Sequence, residues 1–427
     1  MIYKIYQILT ILFSPVINLY MWIRLKKGKE DKIRYKERFG YASIKRPEGD
    51  IIWVQCASVG ESNSALPVIE KLIEKYHNKV TILITTGTIA SAETIAKNIA
   101  GKSNIIHQYT PIDEYFVIKR FLNYWKPKAL ITIESEIWPN MIVMAHKYCE
   151  KVMIVNAKMS IKSFERWKMF KNFKETIFDS VDICYPQSQN DQFRLINLGI
   201  QNTIFLGNLK FDIPELKIDN DLLKKLKKEI NGRDFVLCAS THIEENEELL
   251  KLYNEIKEKC KDILFILAIR HTNKSDEILN FFRKNGLVCK RKSKNESIDD
   301  KTNIYIFDEM GQMGTLFELS DIVLMAGSLV DKIGGHTPVE PAKHNCAILT
   351  GPFIKNNKSL FVELEKNSGC YIARNKKEYI KNLVENILDL LQNKNRVEML
   401  KQNATFVCNK YSNVANNVAN NIIENLE

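Results

Sequence analysis

Twice along the chain, short apolar, β-prone runs alternate with stretches whose apolar residues recur at helical spacing. That alternation limits the fold more than any other feature. The first series has strand candidates at 51–56, 80–85, 129–133, 152–156, 183–186 and 203–206. The second has them at 235–238, 263–269, 303–307, 322–326 and 347–350. Strands separated by helices build parallel sheets, because neighbouring parallel strands need a long crossover between them. The reading is two doubly wound α/β domains of similar size, joined at a polar, proline-containing segment, 213–220. At 427 residues the chain is also too long for one ordinary core. No sequence repeat relates the two series. A cleft between two such domains is a favoured ligand site.

The run 51–56 stops at Ala57-Ser58-Val59-Gly60, and Glu61 follows at once. Leu66, Ile69, Leu72 and Ile73 then continue at helical spacing. In open parallel sheets ligands lie beyond the carboxyl ends of the strands, which is where Glu61 falls. Ser58-x-x-Glu61 fits a helix capping box equally well, with Glu61 only satisfying backbone donors. Both readings stand at this level.

Residues 2–23 carry a single charge, Lys4, and Arg24, Lys26, Lys27 and Lys29 follow directly. A helix over 5–23 would rise about 28 Å, close to a ~30 Å hydrocarbon core. Residues 1–24 therefore read as a membrane anchor, spanning or interfacial, with Tyr20 and Trp22 at its boundary. The positive-inside rule puts the bulk of the chain in the cytoplasm. With 45% hydrophobic and 26% charged residues, that bulk is globular.

The net charge of +11 points to an anionic partner. Much of the lysine alternates with asparagine and glutamate, as solvated helix faces do, and no nucleic-acid-binding signature is present. Nine cysteines scattered singly argue for a reducing compartment rather than a disulfide framework. Seven histidines without ligand spacing give a catalytic metal no visible home. The string Asp219-Asn220-Asp221 mimics a D-x-D metal clamp but sits in the polar linker, where it reads as ordinary surface.

Four further places carry chemistry. Glu134 and Glu136 follow directly on the apolar run 129–133, with Trp138 beside them, and carboxylates at a strand end suggest a site. Lys210 falls in Gly207-Asn208-Leu209-Lys210-Phe211-Asp212, at the close of the first series. Arg270-His271 follows the run 263–269, and an arginine there could fork onto a phosphate. Both Lys210 and Arg270 also read as plain exposed cations. Finally, Gly327-Ser328 and Gly334-Gly335-His336 precede Thr337-Pro338-Val339-Glu340. There Thr337 fits an N-cap, Pro338 the first helical position and Glu340 a capping box, giving a helix start suited to an anion.

WVQCASVGES, IESEIWPN, NAKMSIKS, GNLKFD, STHIEE, the RH pair, DEMGQM, GSLVDKIGGHTPVEPA and LTGP occur in this order. Together they resemble the 3-deoxy-D-manno-octulosonic acid (Kdo) transferases of lipopolysaccharide synthesis, from the N-terminal segment to about Gly369. The resemblance implies a GT-B fold: two Rossmann-like domains facing a cleft, 25–212 for the acceptor and 213–427 for the CMP-sugar, behind the anchor at 1–24. It implies an inverting, metal-independent glycosyltransferase without a cofactor, on the cytoplasmic side of a bacterial inner membrane. The donor would be CMP-Kdo and the acceptor a tetra-acyl lipid A precursor (lipid IVA).

Carried over by motif, Glu61 matches the proton acceptor, and Glu134 and Lys210 match transition-state stabilisers. CMP contacts fall on Ile269, Arg270, Met310, Gly311, Gln312, Thr337, Pro338, Val339 and Glu340. The chain departs from the pattern at Ile269 for proline, Gln312 for glutamate, Thr337 for asparagine and Lys158 for arginine. Gln312 removes a charge near the nucleotide, and Lys158 loses a bidentate fork. The chemistry is coherent: a hydroxyl needs a base, and a departing nucleoside monophosphate needs cations. The alternatives are a membrane-associated GT-B enzyme using a UDP-sugar and a non-catalytic binder of lipid or sugar.

Overall fold

The computed structural model describes residues 2–76, 79–102 and 104–427. The first series forms a six-stranded, all-parallel sheet. Its strands are β1 (Asp50–Cys56), β2 (Val80–Thr86), β3 (Ile105–Tyr109), β4 (Ala129–Ile133), β5 (Lys151–Ala157) and β6 (Ile183–Pro186). Their order is β3-β2-β1-β4-β5-β6, with Ile52 opposite Ala129 and Gln55 opposite Thr132 between β1 and β4. Helices cover both faces, so the strands are almost wholly buried and read as unbroken apolar runs. Trp53, Leu130 and Ile154 pack with Phe121 and Trp125 of the helix Tyr115–Trp125. Polar groups inside are met locally: the indole N–H of Trp53 donates to Thr85 Oγ1 at 2.7 Å, and that of Trp125 to Gln108 Oε1 at 3.0 Å.

The second series forms a seven-stranded sheet from β7 (Phe235–Thr241), β8 (Leu264–Ile269), β9 (Cys289–Arg291), β10 (Ile304–Phe307), β11 (Ile322–Met325), β12 (Ala347–Thr350) and β13 (Cys370–Ile372). Its order is β13-β12-β11-β7-β8-β10-β9, again all parallel. Phe265, Leu267 and Leu324 pack against Leu252, Tyr253 and Ile256 on one helix and Leu383 and Ile387 on another.

Three strands escape the sequence pattern. β3, β9 and β13 are short, lie at or next to a sheet edge, and carry too few apolar residues to stand out. Conversely, 203–206 is no strand, because only Thr203 makes a bridge, to Cys184. Asp219 proves to be a helix cap, its carboxylate accepting the N–H groups of Asp221 and Leu222.

The chain divides into two units, Met1–Asp212 with Asn413–Glu427, and Ile213–Ser412. The expected second domain, 213–427, is therefore corrected at its end. The helix Val414–Glu424 belongs to the first unit, where Asp212 accepts the N–H groups of Asn413 and Ala415 at 3.0 and 2.7 Å.

The N-terminal segment also differs from expectation. Among the described residues no single helix is long and apolar enough to cross a membrane. Instead Ile2–Leu12 and Ser14–Lys26 meet at a 54° bend; Met1 lies outside the described residues. Pro15 explains the break, since it offers no N–H to the preceding turn and its ring crowds that turn's carbonyl. The first helix is held to its unit by Tyr6, whose hydroxyl donates to Asp113 at 2.9 Å. Ile8 and Leu12, 62% and 68% exposed, leave its outer face apolar and uncovered.

Candidate active site

From β1 the chain runs outward through β2 and β3, then returns to β4 on the other side of β1. The carboxyl ends of β1 and β4 thus flank the point where the strand order reverses, the place where open α/β sheets bind ligands. Glu61 follows β1 in the first turn of the helix Val59–Lys75, and Glu134 follows β4 directly.

Ser58 is the N-cap of the Glu61 helix, its hydroxyl accepting the Glu61 N–H at 3.3 Å. The reciprocal half of a capping box is displaced by one residue: Glu61 Oε2 accepts the N–H of Ala57, at 2.6 Å, rather than that of Ser58. The carboxyl is therefore oriented by one backbone donor, with no ion pair to it among the described residues. Burial, opposed by the Ala57 N–H and reinforced by the charges of Glu136 and Glu134, pushes its pKa up to about 7. A carboxyl poised there is ionised for a good part of the time near neutrality yet basic enough to take a proton.

Glu134 is set differently. Its backbone lies at φ +59°, a conformation that costs a non-glycine residue about 1 kcal/mol or more. Two hydrogen bonds hold it there, Glu134 N–H to Val155 O at 3.0 Å and Lys158 N–H to Glu134 O at 3.3 Å. Its Oε1 lies 2.7 Å from Lys210 Nζ. Lys210 sits in the short turn Leu209–Phe211, pinned by two asparagines: Asn208 Oδ1 accepts the Lys210 N–H, and Asn156 Oδ1 the Leu209 N–H. Glu136 is raised by burial, while the Trp138 indole N–H donates to it at 2.6 Å and holds it aside. Three predicted residues thus meet around one strand-order reversal.

In the second unit the reversal falls between β7 and β11. Arg270 lies just past β8, exposed, with no ion pair among the described residues. Ile269 and Val339 are buried in the core, so only their backbones could meet a ligand. Met310 and Gly311 are exposed, and Gln312 accepts a hydrogen bond from the Thr315 hydroxyl at 3.1 Å. The expected capping box at Thr337–Glu340 is absent. The helix there, Val339–Lys343, is a bare turn and a half capped by Pro338, with only a long 3.4 Å contact from Val339 N–H to Thr337 Oγ1. Glu340 instead lies in the field of Arg270, and burial raises its pKa. The loop is braced from elsewhere: buried Glu245 accepts the N–H groups of His242, Gly327 and Leu329 at 3.1, 2.8 and 3.0 Å.

Sequence reasoning passed over His242, Glu245 and the two asparagines as site residues, and placed Glu136 at the strand end without a role. Only STHIEE held a usable signal, a strand followed by a polar residue and a glutamate three positions on. Among the described residues no group of three or more His, Cys, Asp or Glu side chains is arranged to hold a metal ion.

Residues 33–213 match a family model described as 3-deoxy-D-manno-octulosonic-acid transferase (kdotransferase). The chain is 34% identical over 386 residues to the 3-deoxy-D-manno-octulosonic acid transferase of Rickettsia bellii, covering 90% of this chain and 91% of the relative. With the enzyme of that name from Haemophilus influenzae it shares 29% over 400 residues, 92% of each. Among solved structures, a glycosyltransferase from Rickettsia africae superposes with a TM-score of 0.59 at 13% identity, over 89% of this chain and 99% of that one. That likeness carries the fold, two parallel-sheet α/β units in one chain.

Proposed function

The chain belongs to the 3-deoxy-D-manno-octulosonic acid (Kdo) transferase family, and from that premise we propose that it moves Kdo from CMP-Kdo to a lipid A precursor, lipid IVA, with inversion at the sugar's anomeric carbon. The observation that carries the reading is Glu61: a carboxyl at a strand-order reversal, without a cation among the described residues, raised to about 7. In this reading Glu61 takes the proton of the acceptor hydroxyl as that oxygen forms its bond to the anomeric carbon. The bond from that carbon to the phosphate oxygen breaks, and CMP leaves with the electron pair. Its charge rises from one to about two, so fixed cations near the phosphate lower the barrier. Arg270 is suited to that task in the second unit. The Lys210–Glu134 pair supplies the matching field in the first, where an unpaired Glu134 would oppose charge development. Met310, Gly311, Gln312 and the segment Thr337–Pro338–Val339–Glu340 would hold the nucleotide, Ile269 and Val339 through their backbones.

The N-terminal helices fit an enzyme with an acylated acceptor. Their uncovered apolar face, followed by Arg24, Lys26, Lys27 and Lys29, suits the cytoplasmic face of an anionic inner membrane.

The test is mass spectrometry of lipid IVA after incubation with the full chain and CMP-Kdo, with a UDP-sugar as the parallel arm. The expected product carries the mass of Kdo, appears only with the CMP donor, and persists in excess EDTA, because side-chain cations meet the phosphate. Transfer from the UDP-sugar alone would overturn the donor, and transfer that chelation abolishes and magnesium restores would overturn the metal-independent mechanism.

A further inference from the structure

His242 Nε2 lies 2.8 Å from His336 Nε2. The two rings are within 9° of parallel, and His271 meets His242 edge-on at 5.3 Å between centroids. His242 follows β7 and His336 ends the loop after β11, so the contact spans the strand-order reversal of the second unit. The two loops that carry the rings are tied at one point, because Glu245 joins the His242 backbone to those of Gly327 and Leu329. Gly327 is required at φ +72°: a Cβ there would stand 2.7 Å from His336 Cδ2. The hydroxyl of buried Thr241, next to His242, has no hydrogen-bond partner among the described residues.

Such a contact restricts protonation. One Nε2 must carry the hydrogen and the other the lone pair, so the pair is either neutral or singly protonated, never doubly. The surroundings favour the neutral pair. Burial, then the neighbouring His242, Arg270 and His271, push His336 down to about 4; burial first and His271 next lower His242. The nearby carboxylates are otherwise engaged. Glu245 accepts three backbone N–H groups, Glu244 pairs with Lys332 at 3.4 Å, and burial favours the protonated form of Glu340. Three imidazoles and a guanidinium thus gather without a free counter-ion among the described residues.

We propose that the His242–His336 pair is a one-proton acceptor coupled to phosphate: it takes a proton from solvent when the nucleotide's phosphate docks beside Arg270, and returns it when the nucleotide leaves. The inference rests on the reading that the second unit binds CMP. An anion beside the cluster reverses the balance that keeps the pair neutral, because the added charge then has an opposite partner. The shared proton would meet the phosphate as its charge grows, and its loss on release would ease the departure of CMP.

The experiment is calorimetric titration of the full chain with CMP at pH 7.5, in buffers of different ionisation enthalpy. At that pH CMP is a dianion, so proton uptake reports the protein. The expected result is uptake of about one proton per CMP bound, with affinity rising up to about tenfold per unit fall in pH between 8.5 and 7. Neutral cytidine should take up none. His336→Gln and His242→Gln should each reduce uptake to near zero while CMP still binds, and His271→Gln should leave it intact. Binding of CMP without uptake by the wild type overturns the inference alone, as does uptake that survives both glutamine variants or vanishes only with His271→Gln. Absence of any CMP binding overturns the nucleotide assignment, and the inference with it. The wild-type pH dependence decides even where a variant fails to fold.

Discussion

Lys210 Nζ stands 2.7 Å from Glu134 Oε1, while Glu61, at the neighbouring strand end, has no cation beside it among the described residues. Two carboxylates beyond the ends of adjacent strands are thereby given different characters. One is tied to a cation, and burial pushes the other up to about 7, which is how environment separates like groups.

Removing the cation should expose that division. Lys210→Met leaves Glu134 partly buried and unpaired, and its bare charge acts on Glu61, which it already raises. The acidic limb of the pH–rate profile should move upward from about 7, and turnover should fall by at least about 10²-fold, the usual cost of one electrostatic stabiliser. Lys210→Arg should restore the limb and part of the rate. A profile that stays put in Lys210→Met would show that the pair does not set the base.

Glu61→Gln separates base from cap. Glutamine can still accept the Ala57 N–H, so a purely structural role predicts near-normal turnover. An amide cannot take the hydroxyl proton, so a general-base role predicts a loss of about 10²–10⁴-fold. In the wild type kcat/KM should rise with pH through about 7, as the carboxyl loses its proton, and flatten above. Steady-state rates from pH 5.5 to 8.5 decide between the two.

The same substitution should stabilise the unit that contains it, but only at high pH. A pKa raised in the folded state means a contribution to stability that is present at low pH and lost as pH rises through about 7. At pH 8 wild-type Glu61 is ionised where burial disfavours charge. Glu61→Gln removes that charge, worth up to about 3 kcal/mol for a shift from 4.5 to about 7. Thermal unfolding should show a higher Tm for the variant at pH 8 and no difference at pH 4. Equal melting points at both would refute the raised carboxyl.

Deleting residues 1–26 should weaken sedimentation with anionic vesicles without unfolding the sheet behind it. The deletion exposes Asp113, which keeps the N–H groups of Asn140 and Met141 when it loses the Tyr6 hydroxyl. Burial raises Asp113 to about 6, so wetting it should bring that value down. A full-length chain that stays wholly in the supernatant at physiological salt would rule out the membrane role of the helix pair.

Much of the architecture was legible because parallel strands covered on both faces must be apolar throughout, a demand written into neighbouring letters such as 129–133 and 347–350. Glu61 and Arg270 were legible for a related reason: whatever follows such a run lies at the carboxyl edge of the sheet. β3, β9 and β13 were not, since short peripheral strands need few apolar residues. The break at Phe13 had its signal in Pro15, which the apolar run around it outweighed.

What the sequence determined alone was thus local: the period of each element, its ends, and which side chains fall just beyond them. The order of the strands was decided only in three dimensions, and with it the adjacency of Glu61 to Glu134 and of His242 to His336. So was the membership of Val414–Glu424 in the first unit. Periodicity is a property of a few neighbouring residues, whereas pairing, burial and the fields that move a pKa sum over groups distant in the chain. Lys210 reaches Glu134 across more than seventy residues, and the Glu61 carboxyl is raised because folding removes its water and, among the described residues, gives it no cation.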